Sequence, residues 1–309
     1  MRRVPIVSIS RGLSESLKRS LHHGSTVFVL PAAFLIILIV AFPFGDAIWI
    51  SLTNHEVANP VDKFVGLANY AAWVSQASYW HALINTVVYS LATVAAGLVL
   101  GLAIGLSLNK LKAGRDFWGA LILVPWIVPT VVSTLIWSWM YNPVGGVLNY
   151  VLKSLLLTRS DVNWLGRPTL ALISVIVVSA WRYTPYFGVV ILAGRKQVAD
   201  QLYEAAVIDG ASGFQQFWKV TLPSLRSVLL LTGTLIFVRV MYDFIVVYVL
   251  TKGGPGDATQ ILTVLSFTVA FDAGKMGSGV AAPMLAFPIL APIIFIVSGN
   301  MVKNLVGAK

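Results

Sequence analysis

The sequence has no cysteine and little charge. Without a thiol, the chain has no disulfide, no thiolate metal site and no cysteine nucleophile. Only 11% of the 309 residues are charged and 57% are hydrophobic, whereas a globular domain in water is typically about 25% charged. This composition argues against a soluble enzyme or binding module and predicts a polytopic membrane protein.

Motifs for nucleotide or metal chemistry are also missing. The chain has no G-x4-G-K-[ST] loop for phosphate. None of the four histidines is spaced as a metal-ligand pair within one helix turn, and no two carboxylates form an acid–base couple. We therefore predict that the chain is not an enzyme by itself and binds no metal or cofactor.

Six apolar stretches are each long enough to cross a bilayer core of about 30 Å. They cover residues 24–45, 81–109, 117–141, 168–194, 227–251 and 276–302. In the second stretch, Gly97, Gly101 and Gly105 recur every four residues, so we expect this helix to approach a neighbour closely. The sequence thus predicts an all-α fold with six transmembrane helices.

Lysine and arginine are unevenly distributed between the predicted loops. With the N-terminus inside, the cytoplasmic segments hold 14 basic residues and the external segments hold 6. Because basic residues concentrate on the cytoplasmic side, both termini are predicted to be cytoplasmic. The N-terminal segment is then 1–25, the transmembrane domain is 26–303, and the cytoplasmic tail is 304–309.

The cytoplasmic segment 195–226 shows the pattern of a helix, a tight turn and a second helix. From Glu204 to Pro223 it reads EAAVIDGASGFQQFWKVTLP. Gly210 suits a left-handed position after the first helix, and Ser212 suits the cap of the second. The proline is expected to end the second helix.

Three aromatic residues of this segment share one helix face. Phe214, Phe217 and Trp218 are spaced i, i+3 and i+4. Such a ridge requires an apolar partner, which is either another protein or the membrane helices of this chain.

The same segment matches a known signature, E-A-A-x3-G-x9-I-x-L-P, of binding-protein-dependent ABC importer permeases. The matching residues are Glu204, Ala205, Ala206, Gly210, Leu222 and Pro223, and Val220 replaces the usual isoleucine. Further stretches resemble carbohydrate-importer permeases, most of all the first permease type of the maltose/glycerol-phosphate branch. They are FVGLANY at 64–70, PWIVP at 125–129, WR at 181–182 and LTKGGPG at 250–256.

This resemblance implies the type I importer fold and a multi-pass location in the bacterial inner (plasma) membrane. It implies a second, homologous permease, two nucleotide-binding ATPase subunits that use ATP and Mg, a soluble extracytoplasmic binding protein and a sugar-like permeant, with no nucleic acid. The residues that couple to the ATPase would be Glu204, Ala205, Ala206, Asp209, Gly210, Phe214, Phe217, Trp218, Leu222 and Pro223.

Two arginines and one aspartate lie within the predicted spans. An arginine at a helix centre costs about 2.5–3.5 kcal/mol on insertion scales, so Arg182 faces a cavity or partner or has a structural role. Arg239 and Asp243 are four residues apart, so they either pair on one helix face or line the pore. The candidate translocation path consists of Trp181, Arg182, Tyr183, Tyr186, Arg239, Tyr242 and Asp243.

Three functions fit these residues. The first is a permease subunit that forms half of the pathway for a sugar or sugar derivative in an ATP-driven importer. The second is the same fold importing an anionic solute, such as glycerol phosphate or a sulfonated sugar, since two arginines lie in the spans. The third is a secondary transporter, which would need ion-coupling carboxylates, and only Asp243 lies deep enough.

The predicted topology places two serines on opposite sides of the membrane. Because the chain has no cysteine, a single cysteine at either position is a clean probe. We expect Ser160→Cys to react with an impermeant maleimide on intact cells and Ser212→Cys to react only after permeabilisation, since the basic segments are cytoplasmic. The reverse labelling pattern would refute the topology.

Overall fold

The computed structural model describes residues 26–58 and 62–306. Within these residues the regular secondary structure is helical, and the β-structure is limited to isolated bridge residues, among them the antiparallel pair Thr53 and Phe64. The predicted all-α class is confirmed. The N-terminal segment 1–25 and the last three residues of the predicted tail lie outside the described residues.

Groups of short helices separate the long ones along the described part of the chain. The first half contains α1 (Thr26–Ile36), α2 (Phe42–Ser51), α3 (Ala68–Val74), α4 (Ala77–Lys110), α5 (Arg115–Ile122), α6 (Val124–Ile127), α7 (Thr130–Met140) and α8 (Val147–Ser154). The second half contains α9 (Pro168–Lys196), α10 (Asp200–Ile208), α11 (Gly213–Gln216), α12 (Leu222–Met241), α13 (Ile245–Thr251), α14 (Leu262–Phe267) and α15 (Met276–Val306). Three π-helical turns follow α1, α11 and α14, at Ile37–Ala41, Phe217–Thr221 and Thr268–Asp272.

Four helical runs in the described part of the chain are long and apolar enough to cross a membrane. They are Val29–Ser51, Ala77–Lys110, Pro168–Lys196 and Gly213–Met241. A fifth is obtained if Arg115–Ile127 and Thr130–Met140 form one bent span. The second and fourth predicted spans agree with α4 and α9 to within a few residues at each end.

The third predicted span is bent and not straight. Its two parts meet at 88°, and the bend falls at Val128 and Pro129. A proline disfavours helical geometry in the residue before it, and Val128 is extended, with φ −62° and ψ 133°. The PWIVP motif therefore marks a break in the helix.

The predicted proline stop in the cytoplasmic segment is wrong. Pro223 lies in the first turn of α12, and the helical run continues from Gly213 to Met241. The π-helical turn Phe217–Thr221 already interrupts the regular backbone hydrogen bonding just before it, so the missing N–H of the proline is tolerated there. The run ends at Met241, and α13 is a separate helix, so the predicted fifth span 227–251 is broken.

Helix α9 lies at the centre of the molecule, and α4 approaches it through its glycines. A Cβ on Gly105 would lie 2.8 Å from the carbonyl oxygen of Gly188, and one on Gly97 would lie 2.8 Å from the Phe187 ring. A Cβ on Gly101 would likewise lie 3.1 Å from the backbone nitrogen of Gly188. The predicted close approach of this helix to a neighbour is confirmed.

Two clusters of buried side chains form the core. The larger one joins α4, α9, α12 and α13 through residues that include Tyr89, Val175, Phe187, Ile191, Leu225, Val240 and Val246. The smaller one joins α3, α4, α14 and α15 through Trp73, Tyr79, Ala82, Leu262, Leu265 and Ala281. The larger cluster fixes the helices that line the site described below.

The glycine contact predicts different effects on stability for two glycine-to-alanine changes. Gly101→Ala would press a methyl group onto Phe187 and Gly188, and overpacking of this kind typically costs about 1–3 kcal/mol. Gly119 lies in α5 with nothing within 4 Å of an added Cβ, so Gly119→Ala should be neutral or slightly stabilising. Thermal unfolding in detergent tests this, and equal melting temperatures for the two variants would contradict it.

Candidate functional site

A cavity of about 710 Å³ lies beside α9, at the level of two helix breaks. The break at Val128–Pro129 brings Trp126 and Thr130 to its wall, and the break after α12 brings Tyr242 and Asp243. Both breaks leave irregular backbone within or next to apolar helical runs. In a membrane, such backbone is tolerated where it faces a cavity or protein and not lipid.

The cavity collects most of the predicted translocation-path residues. Six of the seven line it: Arg182, Tyr183, Tyr186, Arg239, Tyr242 and Asp243. Trp181 does not line it, although it precedes Arg182 in α9. It packs edge-on against Trp137, with ring centres 5.5 Å apart, in a separate apolar groove of about 500 Å³.

A buried ion pair crosses the wall of the cavity. Arg182 Nη1 lies 3.7 Å from Asp243 Oδ2, and the two side chains are 11% and 8% exposed. Arg182 Nη2 also donates to Thr130 Oγ1 at 2.7 Å. The Tyr89 hydroxyl donates weakly to the carboxylate at 3.5 Å and lies 2.6 Å from Ser179 Oγ. This network therefore connects both helix breaks to α9.

The aspartate pairs with Arg182 and not with Arg239, which lies four residues before it. The reason is that α12 ends at Met241, so helical i, i+4 spacing does not extend to Asp243. Arg239 instead is exposed on the cavity wall in the last turn of α12, where a cation is favoured by the helix dipole. Its guanidinium lies close to the Tyr183 hydroxyl.

The remaining wall of the cavity is rich in aromatic rings. Trp126 and Tyr186 pack with centres 5.5 Å apart, and Tyr242 is 62% exposed. Apolar ring faces next to hydrogen-bonding groups suit a ligand that has both apolar and polar surfaces. No group of three or more histidine, aspartate or glutamate residues that could hold a metal ion occurs among the described residues.

Sequence reasoning missed Trp126, Thr130 and Tyr89 as members of this site. The PWIVP motif was a signal for the first two, because its second proline marks the break that turns them toward the cavity. Tyr89 had no such signal, since a tyrosine in an apolar helix is an ordinary core residue.

The predicted turn of segment 195–226 is present. Gly210 follows α10 with φ +75°, and the amide of Ala211 donates to the Ala206 carbonyl at 2.8 Å. Ser212 caps α11 in a reciprocal capping box with Gln215. These contacts confirm the predicted left-handed glycine and serine cap, and they make the helix–turn–helix a defined surface.

This surface is apolar and open. Ile208 is 85% exposed, Phe214 73% and Trp218 53%, so these side chains do not pack against the membrane helices of this chain. Phe217 is half-buried, with its ring centre 5.4 Å from that of Trp218. Of the other predicted coupling residues, Glu204, Ala205, Asp209, Gly210 and Pro223 are exposed, and Ala206 and Leu222 are half-buried.

Comparison with known proteins identifies relatives over most of the chain. The family model for the inner membrane component of binding-protein-dependent transport systems matches residues 97–308. The trehalose/maltose transport system permease protein MalF of Thermococcus litoralis is 36% identical over 264 residues, which cover 85% of this chain and 88% of that protein. The inner membrane ABC transporter permease protein YcjO of Escherichia coli is 31% identical over 285 residues, 92% of this chain and 95% of that protein.

A solved structure has the same fold. It is a crystal structure of a bacterial ABC transporter involved in the import of the acidic polysaccharide alginate. The match covers 94% of this chain and 98% of that one, with a TM-score of 0.78. At 16% sequence identity, this similarity concerns the fold alone.

The buried ion pair predicts an asymmetric result for two double variants. Asp243→Asn leaves Arg182 charged and unpaired, and breaking a buried pair on one side typically costs about 3–5 kcal/mol. We expect Asp243→Asn with Arg182→Gln to recover part of that stability. Asp243→Asn with Arg239→Gln should not recover it, since Arg239 is not the ion-pair partner. Thermal stability and membrane yield of these variants test the assignment, and recovery with Arg239→Gln would contradict it.

Proposed function

Since this chain belongs to the family of binding-protein-dependent transport system inner membrane components, we propose that it forms half of the translocation pathway for a sugar or sugar derivative. It is a multi-pass inner-membrane permease component of an ABC importer, and not the ATPase. The solute would be delivered by an external binding protein, and ATP and Mg would be used by a separate ATPase subunit.

One observation carries this proposal: the cavity and the cytoplasmic surface are linked by the same two helices. Helix α9 carries Arg182 in the cavity wall and ends just before α10. The helical run Gly213–Met241 begins in the cytoplasmic segment and carries Arg239 to the cavity. Movement of the cytoplasmic segment can therefore reach the cavity through rigid helices.

The carbohydrate class is supported by the lining of the cavity and by the relatives. Trp126, Tyr186 and Tyr242 offer ring faces, which stack on the C–H surfaces of sugar rings, and Arg239 offers hydrogen-bond donors. The 36% identical relative is named for trehalose and maltose transport. We infer a permeant of this chemical kind.

The topology that we propose has six spans and cytoplasmic termini. The bent pair α5–α7 would be the third span and α15 the sixth, next to the four long apolar runs. The excess of basic residues in the segments around residues 110–115 and 195–226 supports the orientation.

The proposed partners follow from surfaces that the chain leaves uncovered. The exposed face with Ile208, Phe214 and Trp218 would seat on one of two ATPase subunits. A second, homologous permease would complete the pathway, since this chain alone does not enclose the cavity. A binding protein would dock on the external side.

An anionic solute is the second candidate, and Arg239 is the observation that favours it. Asp243 neutralises Arg182, whereas no carboxylate among the described residues lies within ion-pair distance of Arg239. The secondary-transporter hypothesis loses support, because Asp243, the carboxylate on which it rested, is already engaged by an arginine.

The proposal is tested by uptake into vesicles that contain the permease pair, the ATPase and the binding protein. We expect labelled maltose or trehalose to accumulate only with internal ATP and external binding protein. Gly210→Val should abolish uptake, since a β-branched residue is strained at the positive φ of this turn. Gly213→Val is the matched control, because Gly213 has no positive φ and nothing within 4 Å of an added Cβ.

Two outcomes would contradict the proposal. Uptake without ATP would indicate a secondary transporter. Uptake of glycerol phosphate in preference to the disaccharides, lost in Arg239→Gln, would establish the anionic alternative. An equal loss in Gly213→Val would show that added bulk, and not the turn, explains the effect of Gly210→Val.

A further inference from the structure

Arg195, at the cytoplasmic end of α9, is largely buried although it is charged. Its side chain is 14% exposed, and its Nη2 lies 3.3 Å from Asp200 Oδ1. Its guanidinium carbon lies 3.9 Å from the centre of the Tyr203 ring, and Nη1 donates to the Val198 carbonyl at 3.3 Å. The residue thus binds the start of α10 through a carboxylate, an aromatic face and the backbone.

Tyr203 carries this connection to a third element. Its hydroxyl lies 2.9 Å from Thr221 Oγ1, which is 5% exposed within the π-helical turn before α12. At the same level α9 and α12 pack closely, since a Cβ on Gly194 would lie 3.0 Å from Leu225 Cδ2. The end of α9, the middle of α10 and the start of α12 are therefore joined at one place.

Helix α10 depends on these contacts for its position. None of its residues is buried, so no packed core holds it against the rest of the chain. A role of Arg195 in helix capping alone does not explain the arrangement, because the next residue, Lys196, is exposed and gives the same charge to the end of α9. The ring and hydroxyl of Tyr203 serve no capping function.

We propose that Arg195, Tyr203 and Thr221 form a joint that transmits movement of the cytoplasmic segment to both cavity-lining helices. Arg195 is the positioning residue of this joint, and the proposal rests on the coupling role given to the segment above. Arg182 lies thirteen residues from Arg195 along α9, about 20 Å at the helical rise. Arg239 lies eighteen residues from Thr221, about 27 Å along its helix.

The joint makes the cytoplasmic segment move together with the two arginines of the cavity wall. A displacement of α10 pulls on α9 through Arg195 and on α12 through Thr221. Because helices move as rigid bodies, both cavity walls shift together without a flexible linker between them. Without the joint, α10 would be held only by the chain at its two ends.

The test measures solute imported per ATP hydrolysed, in the complete complex and per assembled complex. Labelled maltose or trehalose is the probe, whichever the wild type imports. We expect Arg195→Gln to lower this ratio at least about fivefold, the lower range of typical coupling effects. Arg195→Lys should restore part of it, because an ammonium group also interacts with the Tyr203 ring. Lys196→Gln is the matched control and should keep the wild-type ratio.

A second set of variants removes the hydroxyl contact between Tyr203 and Thr221. Thr221→Val also removes a long hydrogen bond, 3.4 Å, from the Thr221 hydroxyl to the Gln216 carbonyl. Tyr203→Phe and Thr221→Val should each lower the ratio of solute imported to ATP hydrolysed. The ratio of the double variant should be no lower than that of the single variant with the lower ratio, as expected for two groups that act through one contact. A wild-type ratio in Arg195→Gln, or an equal loss in Lys196→Gln, would overturn the proposal. So would loss of assembly in Tyr203→Phe, which would show a purely structural role. A wild-type complex without ATP-driven uptake would instead refute the proposed function.

Discussion

The close approach of α4 to α9 determines the position of α9, and with it the position of the cavity residues that α9 carries. Small residues in a membrane helix permit backbone contact, and van der Waals packing rather than the hydrophobic effect then holds the helices together. Here Gly101 and Gly105 meet the backbone of Gly188, so α9 is drawn into the centre of the molecule. Two sides of α9 line different spaces: Arg182 faces the cavity, and Trp181 faces an apolar groove.

A charge on a central helix needs partners at the same depth, and the two helix breaks provide them. Thr130 is the first residue after one break, and Asp243 lies within the other. Both contact the guanidinium of Arg182. Both contacts are made by side chains, which the breaks bring to the level of the arginine. The breaks and the buried charge are therefore parts of one arrangement, in which each makes the other tolerable in a membrane.

Local patterns in the sequence were sufficient to predict the local features of the fold. Apolar length predicted α4 and α9, the glycine period predicted that α4 closely approaches a neighbouring helix, and the residue types at Gly210 and Ser212 predicted the turn of segment 195–226. The ion-pair partner of Asp243 was not predictable in this way. Its assignment depends on where α12 ends, and nothing in the apolar run 227–251 marks Met241 as the end. Arg182 lies 61 residues away in the sequence, so only the packed structure shows that it reaches this carboxylate.

The π-helical turn before Pro223 shows why the end of segment 195–226 and the apolar helix that follows it form one body. A proline stop would have separated them by a loop, and a loop absorbs movement because its backbone angles are free to change. The π-helical turn already interrupts the regular backbone hydrogen bonding, so the missing N–H of the proline is tolerated and the helical run continues from Gly213 to Met241. It also places Thr221, buried, against the Tyr203 hydroxyl. Helical continuity through this turn is thus what the proposed coupling requires, because it places the exposed Phe214 and Trp218 on the same helical run as Arg239 of the cavity wall, more than twenty residues further along.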